Sequence, residues 1–173
     1  MIVPAVSTMA MPTPLSSSSS ANQWTPDVFL SFRGKDTRSH FTGHLYNALS
    51  KEGIRTFMDD ENLRKGEEIT PALIKAIKES RIAIVIFSED FASSRFSLDE
   101  LVMIMDCLQR IDNYQVWPVF YKVTPADVRH QKGSFEEALA KHETRISENG
   151  KIQKWRSALE KAANISGWNS EDY

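Results

Sequence analysis

The sequence predicts an α/β fold, a flavodoxin-like doubly wound parallel sheet flanked by helices on both faces. Two observations carry this expectation. From Asp27 onward, short β-branched and aromatic runs alternate with segments of helical periodicity, and such alternation implies parallel strands joined by crossover helices. The longest apolar stretch, Ile82 to Phe87, is apolar at every position, as expected of a strand covered on both faces at the centre of a parallel sheet.

The elements follow in order. Val28 to Phe32 is short, aromatic and β-branched and reads as the first strand. Phe41, Leu45, Ala48 and Leu49 recur at helical spacing, and Gly53 stops that helix. Ile54 to Met58 is the second strand, closed by Asp59, Asp60 and Glu61, and a loop runs on through Glu68. Thr70 and Pro71 open the next helix as N-cap and first helical residue, with Ile69, Leu73, Ala76 and Ile77 as its core stripe. Ile82 to Phe87 is the third strand and Leu98 to Leu108 the helix after it. Val116 to Val123 is the fourth strand despite Pro118. Phe135, Leu139 and His142 mark one more helix, and Ile152, Trp155, Leu159 and Ala162 mark the last. Ligands of such sheets sit beyond the carboxyl ends of the strands. The segments to watch are therefore Arg33 to Arg38, Asp59 to Gly66, Ser88 to Glu100 and Thr124 to Ser134.

The chain has 173 residues, 41% of them hydrophobic and 25% charged, with a formal net charge of −2. A chain of this length buries enough surface to fold without disulfide or metal staples, and its near-neutral charge argues against bulk electrostatic binding of nucleic acid or acidic membrane. Cys107 is the one cysteine; it can form neither an internal bridge nor a cysteine-rich zinc site, and it reads as a small buried hydrophobe on a helix. No run reaches the length of a membrane span. Met1 to Pro26 carries no charged side chain but holds Pro4, Pro12, Pro14 and the run Ser16 to Ser20. It lacks the marks of a signal or transit peptide, so we expect residues 1–25 to be a disordered leader and the address to be cytoplasmic or nuclear.

Several chemistries are excluded on spacing. No glycine-rich dinucleotide fingerprint or P-loop follows the first strand, and no nucleophile elbow is present. His40, His44, His130 and His142 are scattered without a metal-binding pattern, so no metal site is expected. The Asp59–Asp60 pair lacks the acids after the first and third strands that a phosphate-accepting acidic pocket needs, because Arg33 and Ser88 stand there.

The stretch from Asp27 to Arg38, DVFLSFRGKDTR, resembles the opening signature of plant TIR (Toll/interleukin-1 receptor) domains. Gly53 to Asp60, Leu63 to Ile69, Ser88 to Ser94, Leu98 to Leu101, Pro118 to Tyr121, Thr124 to Arg129 and Gly133 to Ala138 resemble later blocks of the family in the same order. Together they cover Asp27 to Trp168. The resemblance implies the TIR fold over residues 26–168, with 169–173 opening a linker to a nucleotide-binding domain, in the N-terminal part of a TIR-NB-LRR disease-resistance receptor.

It also implies an activity that composition and spacing do not reveal: cleavage of NAD+ at the nicotinamide–ribose bond, dependent on self-association. NAD+ is then a substrate, with NADP+ open as a second, and no resident cofactor is implied. The catalytic carboxylate carried over is Glu100. The cationic nicotinamide departs neutral, so one anion that stabilises the oxocarbenium-like ribose suffices, without the second carboxyl of ordinary glycosidases. Read from the residues alone, Ser97 to Glu100 is equally a capping box, Ser97 as N-cap and Glu100 at the third helical position. On the helical wheel Asp99 falls opposite the core stripe, and Glu100 about 100° from it, at the border of core and solvent.

The same resemblance nominates Arg33, Gly34, Arg38, Asp60, Arg64, Ser94 and Phe96 for substrate contacts. The arginines suit diphosphate or ribose, Gly34 permits close backbone approach, and Phe96 offers a ring to a base. Many plant relatives carry tryptophan and cysteine where this chain has Phe96 and Ser97. Ser39 and His40 resemble the Ser-His pair of one TIR–TIR interface, and Gly150, Lys151 and Trp155 fall near a second. Trp155 also shares the Ile152/Leu159 stripe and can equally be core. Homotypic partners, and other TIR domains, are expected. The alternative is a non-catalytic TIR adaptor acting by protein–protein contact.

Overall fold

A computed structural model describes residues 25–58, 69–147 and 149–172. The expected leader, Asp60 and Arg64 lie outside the described residues. Five parallel strands form one sheet in the order β2-β1-β3-β4-β5: β1 Val28–Ser31, β2 Thr56–Met58, β3 Ile82–Phe87, β4 Gln115–Phe120 and β5 Trp168–Asn169. The helices are α1 Gly34–Thr37, α2 Gly43–Lys51, α3 Pro71–Glu79, α4 Arg95–Arg110, α5 Pro125–Arg129, α6 Ser134–Arg145 and α7 Asn149–Ala163. A π-helical turn, Arg38–Thr42, joins α1 to α2.

The predicted doubly wound sheet is present, and β3 is central, as its apolar run requires. Its alternate side chains feed two clusters. Phe29, Val85, Phe87 and Phe120 pack with α3, α4, α6 and α7. Leu30, Ile84, Ile86 and Val119 pack beneath Phe41, Leu45 and Leu49. Thr70 caps α3 as expected, its hydroxyl accepting the Leu73 N–H at 3.3 Å, with Pro71 in the first turn.

Three features differ from the expectation. The first helical stretch begins at Gly34, ahead of the stripe that opens at Phe41, and passes through the π turn, where the Thr42 hydroxyl donates to Thr37 Oγ1 at 2.7 Å inside the protein. Thr124 starts the short helix α5, its hydroxyl accepting the Asp127 N–H at 3.1 Å. A fifth strand pairs Trp168 with Val119 and Asn169 with Phe120. The chain stays tied to the sheet beyond it, because the Lys122 N–H donates to Ser170 Oγ at 3.0 Å. The expected domain end at 168 thus falls inside β5.

β5 can approach β4 because Gly167 has no side chain. A Cβ there would fall on the Pro118 carbonyl oxygen and 2.7 Å from the Pro118 ring. Backbone cannot swing aside as a flexible side chain can. Gly167→Ala is expected to lower stability by about 1–3 kcal/mol, read as a lower urea midpoint, and to quench less of Trp168 against Trp117, whose rings lie 5.4 Å apart.

The entry to the sheet is fixed by charge. The Asp27 carboxylate accepts the Arg55 backbone N–H at 3.1 Å and the guanidinium at 3.2 and 3.1 Å. Hydrogen bonds from the Arg55 side chain hold the Asp27 carboxyl below its usual range. A depressed folded-state pKa gives stability that is present above the unfolded pKa and lost as pH falls through the folded one. Asp27→Asn should therefore lower the urea midpoint at pH 7, and the gap to the wild type should close below about pH 4.

Candidate functional site at the carboxyl ends of β1 and β3

β1 and β3 are neighbours, with Ser31 opposite Val85. The chain leaves β1 through Ser31 and Phe32, both buried, into half-buried Arg33 and Gly34. It leaves β3 through buried Ser88 into a 3₁₀ turn, Phe91–Ser93, and then into α4. His142 anchors that turn: its Nε2–H donates to the Ala92 carbonyl at 2.8 Å, and its ring meets Trp155 edge-on at 5.3 Å. The fold thus sets Arg33 and Gly34 just beyond the end of β1, Ser94 at the start of α4 seven residues beyond the end of neighbouring β3, and Glu100 within α4.

The cap of α4 is Ser94, not Ser97. Ser94 has extended backbone, and its hydroxyl accepts the Ser97 N–H at 3.2 Å. The expected capping box is therefore absent, and Glu100 lies one turn deeper than a capping position. Two serines three residues apart offered two possible starts. The 3₁₀ turn decided between them by delivering the chain in an extended conformation at the first.

Glu100 is buried, with 4% of its surface exposed, rather than at the border of core and solvent. The reason is lateral cover: α4 lies between α3 and α7, so a position off the core stripe is still enclosed. Asp99 is drawn in as well. It accepts the Trp155 indole N–H at 2.9 Å and pairs with Lys151 at 3.2 Å. Charge from Glu100 reaches Tyr114, whose phenol is raised well above its ordinary pKa by burial first, then by Cys107 and Glu100; the Tyr114 hydroxyl donates to the Ile77 carbonyl at 3.0 Å. Cys107 is buried as expected, and burial raises its thiol.

The remaining nominated residues separate. Phe96 is buried in the larger core cluster, so its ring packs against protein instead of offering a face to a base. Arg38 and Ser39 lie in the π turn, a distortion common at functional sites, and His40 there is exposed. Gly150 is exposed at the start of α7, while Lys151 is half-buried against Asp99. Trp155 has no exposed surface and belongs to the core, the alternative its helical stripe allowed.

Ser31 and Ser97 are the residues that sequence reading missed here. Ser31 Oγ, Ser97 Oγ and Arg33 Nε are buried without a hydrogen-bond partner among the described residues. Unpaired buried polar atoms are rare and costly. Ser97 stands one turn from Glu100 on the same helix face, and unpaired buried hydroxyls of this kind suit the binding of a polar ligand. Ser31 was detectable: by strand alternation it shares the core-facing side of Phe29, where a hydroxyl is out of place.

The TIR domain model matches residues 27–173. Disease resistance protein RPV1 of Vitis rotundifolia is 56% identical over 148 residues, which cover 86% of this chain and 10% of that protein. TMV resistance protein N of Nicotiana glutinosa is 52% identical over 154 residues, covering 88% and 13%. The TIR domains of the activated Roq1 resistosome, which directly recognises the pathogen effector XopQ, superpose with a TM-score of 0.78 at 48% identity, covering 84% of this chain and 87% of that one. The chain thus spans only 10–13% of the length of these curated relatives.

Proposed function

The chain belongs to the TIR domain family, and from that premise we propose that it is the signalling domain of a plant disease-resistance receptor that, in assemblies of several copies, cleaves NAD+ between nicotinamide and ribose. The observation that carries this reading is Glu100, a buried carboxylate six residues past the Ser94 cap of α4 and one turn from the unpaired hydroxyl of Ser97.

The chemistry asks little of the protein. The bond between the ribose anomeric carbon and the nicotinamide nitrogen breaks, and its electron pair leaves with the nitrogen, which becomes neutral. No general acid is required. Positive charge grows on the ribose, and the Glu100 carboxylate stabilises it. Water then adds at the anomeric carbon and loses a proton, giving ADP-ribose; attack by the adenine of the same molecule gives a cyclic product. Arg33 and the hydroxyls of Ser31 and Ser97 are donors for the diphosphate and ribose.

The 4% exposure of Glu100 gives self-association a physical role. A single chain keeps the carboxylate covered, and packing of neighbouring copies opens the cleft. The relation to TIR domains of an activated resistosome supports assembly of this kind. Exposed His40, in the π turn, marks one contact surface. Substituting Ser39 and His40 with alanine should lower turnover and the dimer fraction together, with circular dichroism unchanged; equal turnover in the double variant would refute the link.

The same burial favours a second reading, in which Glu100 is a structural carboxylate and the domain acts only by protein–protein contact. Incubation of the concentrated chain with NAD+, followed by chromatography, separates the two. Equal amounts of nicotinamide and ADP-ribose-type product support cleavage, and intact NAD+ supports the adaptor.

A further inference from the structure

The outer seam between α4 and α7 forms a trough apart from Glu100, at one end of which stand Gly150, Lys151 and Trp155, the residues that the resemblance places near a TIR–TIR interface. Two hollows of about 380 and 350 Å³ lie end to end along it, sharing Val102 and Lys154. The first is closed at one end by Asp99 and Gly150, and the second runs to Arg110 and Lys161. From Asp99 to Arg110 the trough is about 16 Å long, three helical turns, at the rise of an α-helix.

Its floor is apolar: Val102, Met105 and Ala158. Its rim is cationic. Lys154, Lys161 and Arg110 are exposed and make no ion pair among the described residues, whereas Lys151 is consumed by Asp99. The opposing charge on the second hollow is Asp106. A chain of net charge −2 thus concentrates unpaired positive charge along one apolar seam. Ile111, one of two exposed large hydrophobic residues among those described, follows Arg110 at the end of α4.

We infer that this trough is a docking groove for an acidic amphipathic helix of a protein partner. Lys154 and Lys161 are seven residues apart, about 10 Å along α7, which matches carboxylates two turns apart on a helix lying alongside. An apolar stripe on that helix would cover Val102, Met105 and Ala158, the anchor pattern of helix-in-groove recognition. Complementary rim charges would steer and orient it. The apolar floor favours such a helix over a bare polyanion, whose affinity comes from charge alone.

A short fluorescein-labelled peptide with leucines at positions one, four and eight of a helix and glutamates on the flanks tests this by anisotropy at low salt. The expected result is saturable binding that weakens roughly tenfold or more in the Lys154→Glu/Lys161→Glu variant, with circular dichroism unchanged, and that also weakens in Val102→Asp. A scrambled peptide of the same composition should bind less tightly. The inference is overturned if the amphipathic peptide does not bind, if the charge-reversed variant binds it equally, or if the scrambled peptide or an oligothymidine binds as tightly, which would mark a simple polyanion site.

Discussion

Glu100→Gln is expected to lower nicotinamide release from NAD+ by about a hundredfold to a thousandfold, the usual loss when one group aimed at transition-state charge is removed. The substitution keeps the shape and removes the charge. Ser94, not Glu100, caps α4, so the helix start survives and the urea midpoint should stay near that of the wild type. If release persists in this variant, the anion is not what stabilises the ribose cation. If folding collapses with it, Glu100 is a structural group and the adaptor reading gains.

Trp155→Ala should have the largest effect on stability. The side chain has no exposed surface, it packs against the His142 ring at 5.3 Å, and its indole N–H is held by Asp99 at 2.9 Å. Truncation opens a large cavity and leaves Asp99 short of a donor, a cost of about 3–5 kcal/mol. Trp155→Phe keeps most of the packing and should cost about 1–2 kcal/mol through the lost hydrogen bond. Denaturant titration reads both. A Trp155→Ala protein that kept its midpoint but no longer self-associated would return this residue to the interface that the family resemblance implies.

The fold was legible where local signals were strong and unique. Thr70–Pro71 named a helix start because cap and first-turn chemistry agreed, and Ile82 to Phe87 named the central strand because no other element is apolar at every position. β5 was not legible. Two residues carry no periodicity, and what creates the strand is the close approach of Gly167 to Pro118, a contact between positions far apart in sequence. The start of α4 was ambiguous for a related reason: Ser94 and Ser97 are both good caps, and the preceding 3₁₀ turn chose. Burial of Glu100 and half-burial of Asp99 depended on α3 and α7 closing around α4, which a single helical wheel does not contain. The unpaired hydroxyl of Ser31 was readable from alternation within β1, where it shares the core-facing side of Phe29.

On the proposed reading, Glu100 acts in a cleft that packing between copies opens. Nicotinamide release per chain, measured across protein concentration with Glu100→Gln as the blank, tests it most directly. The expected wild-type rate per chain climbs with concentration while the variant stays at background. A wild-type rate that never rises above the variant, even under crowding, would contradict it.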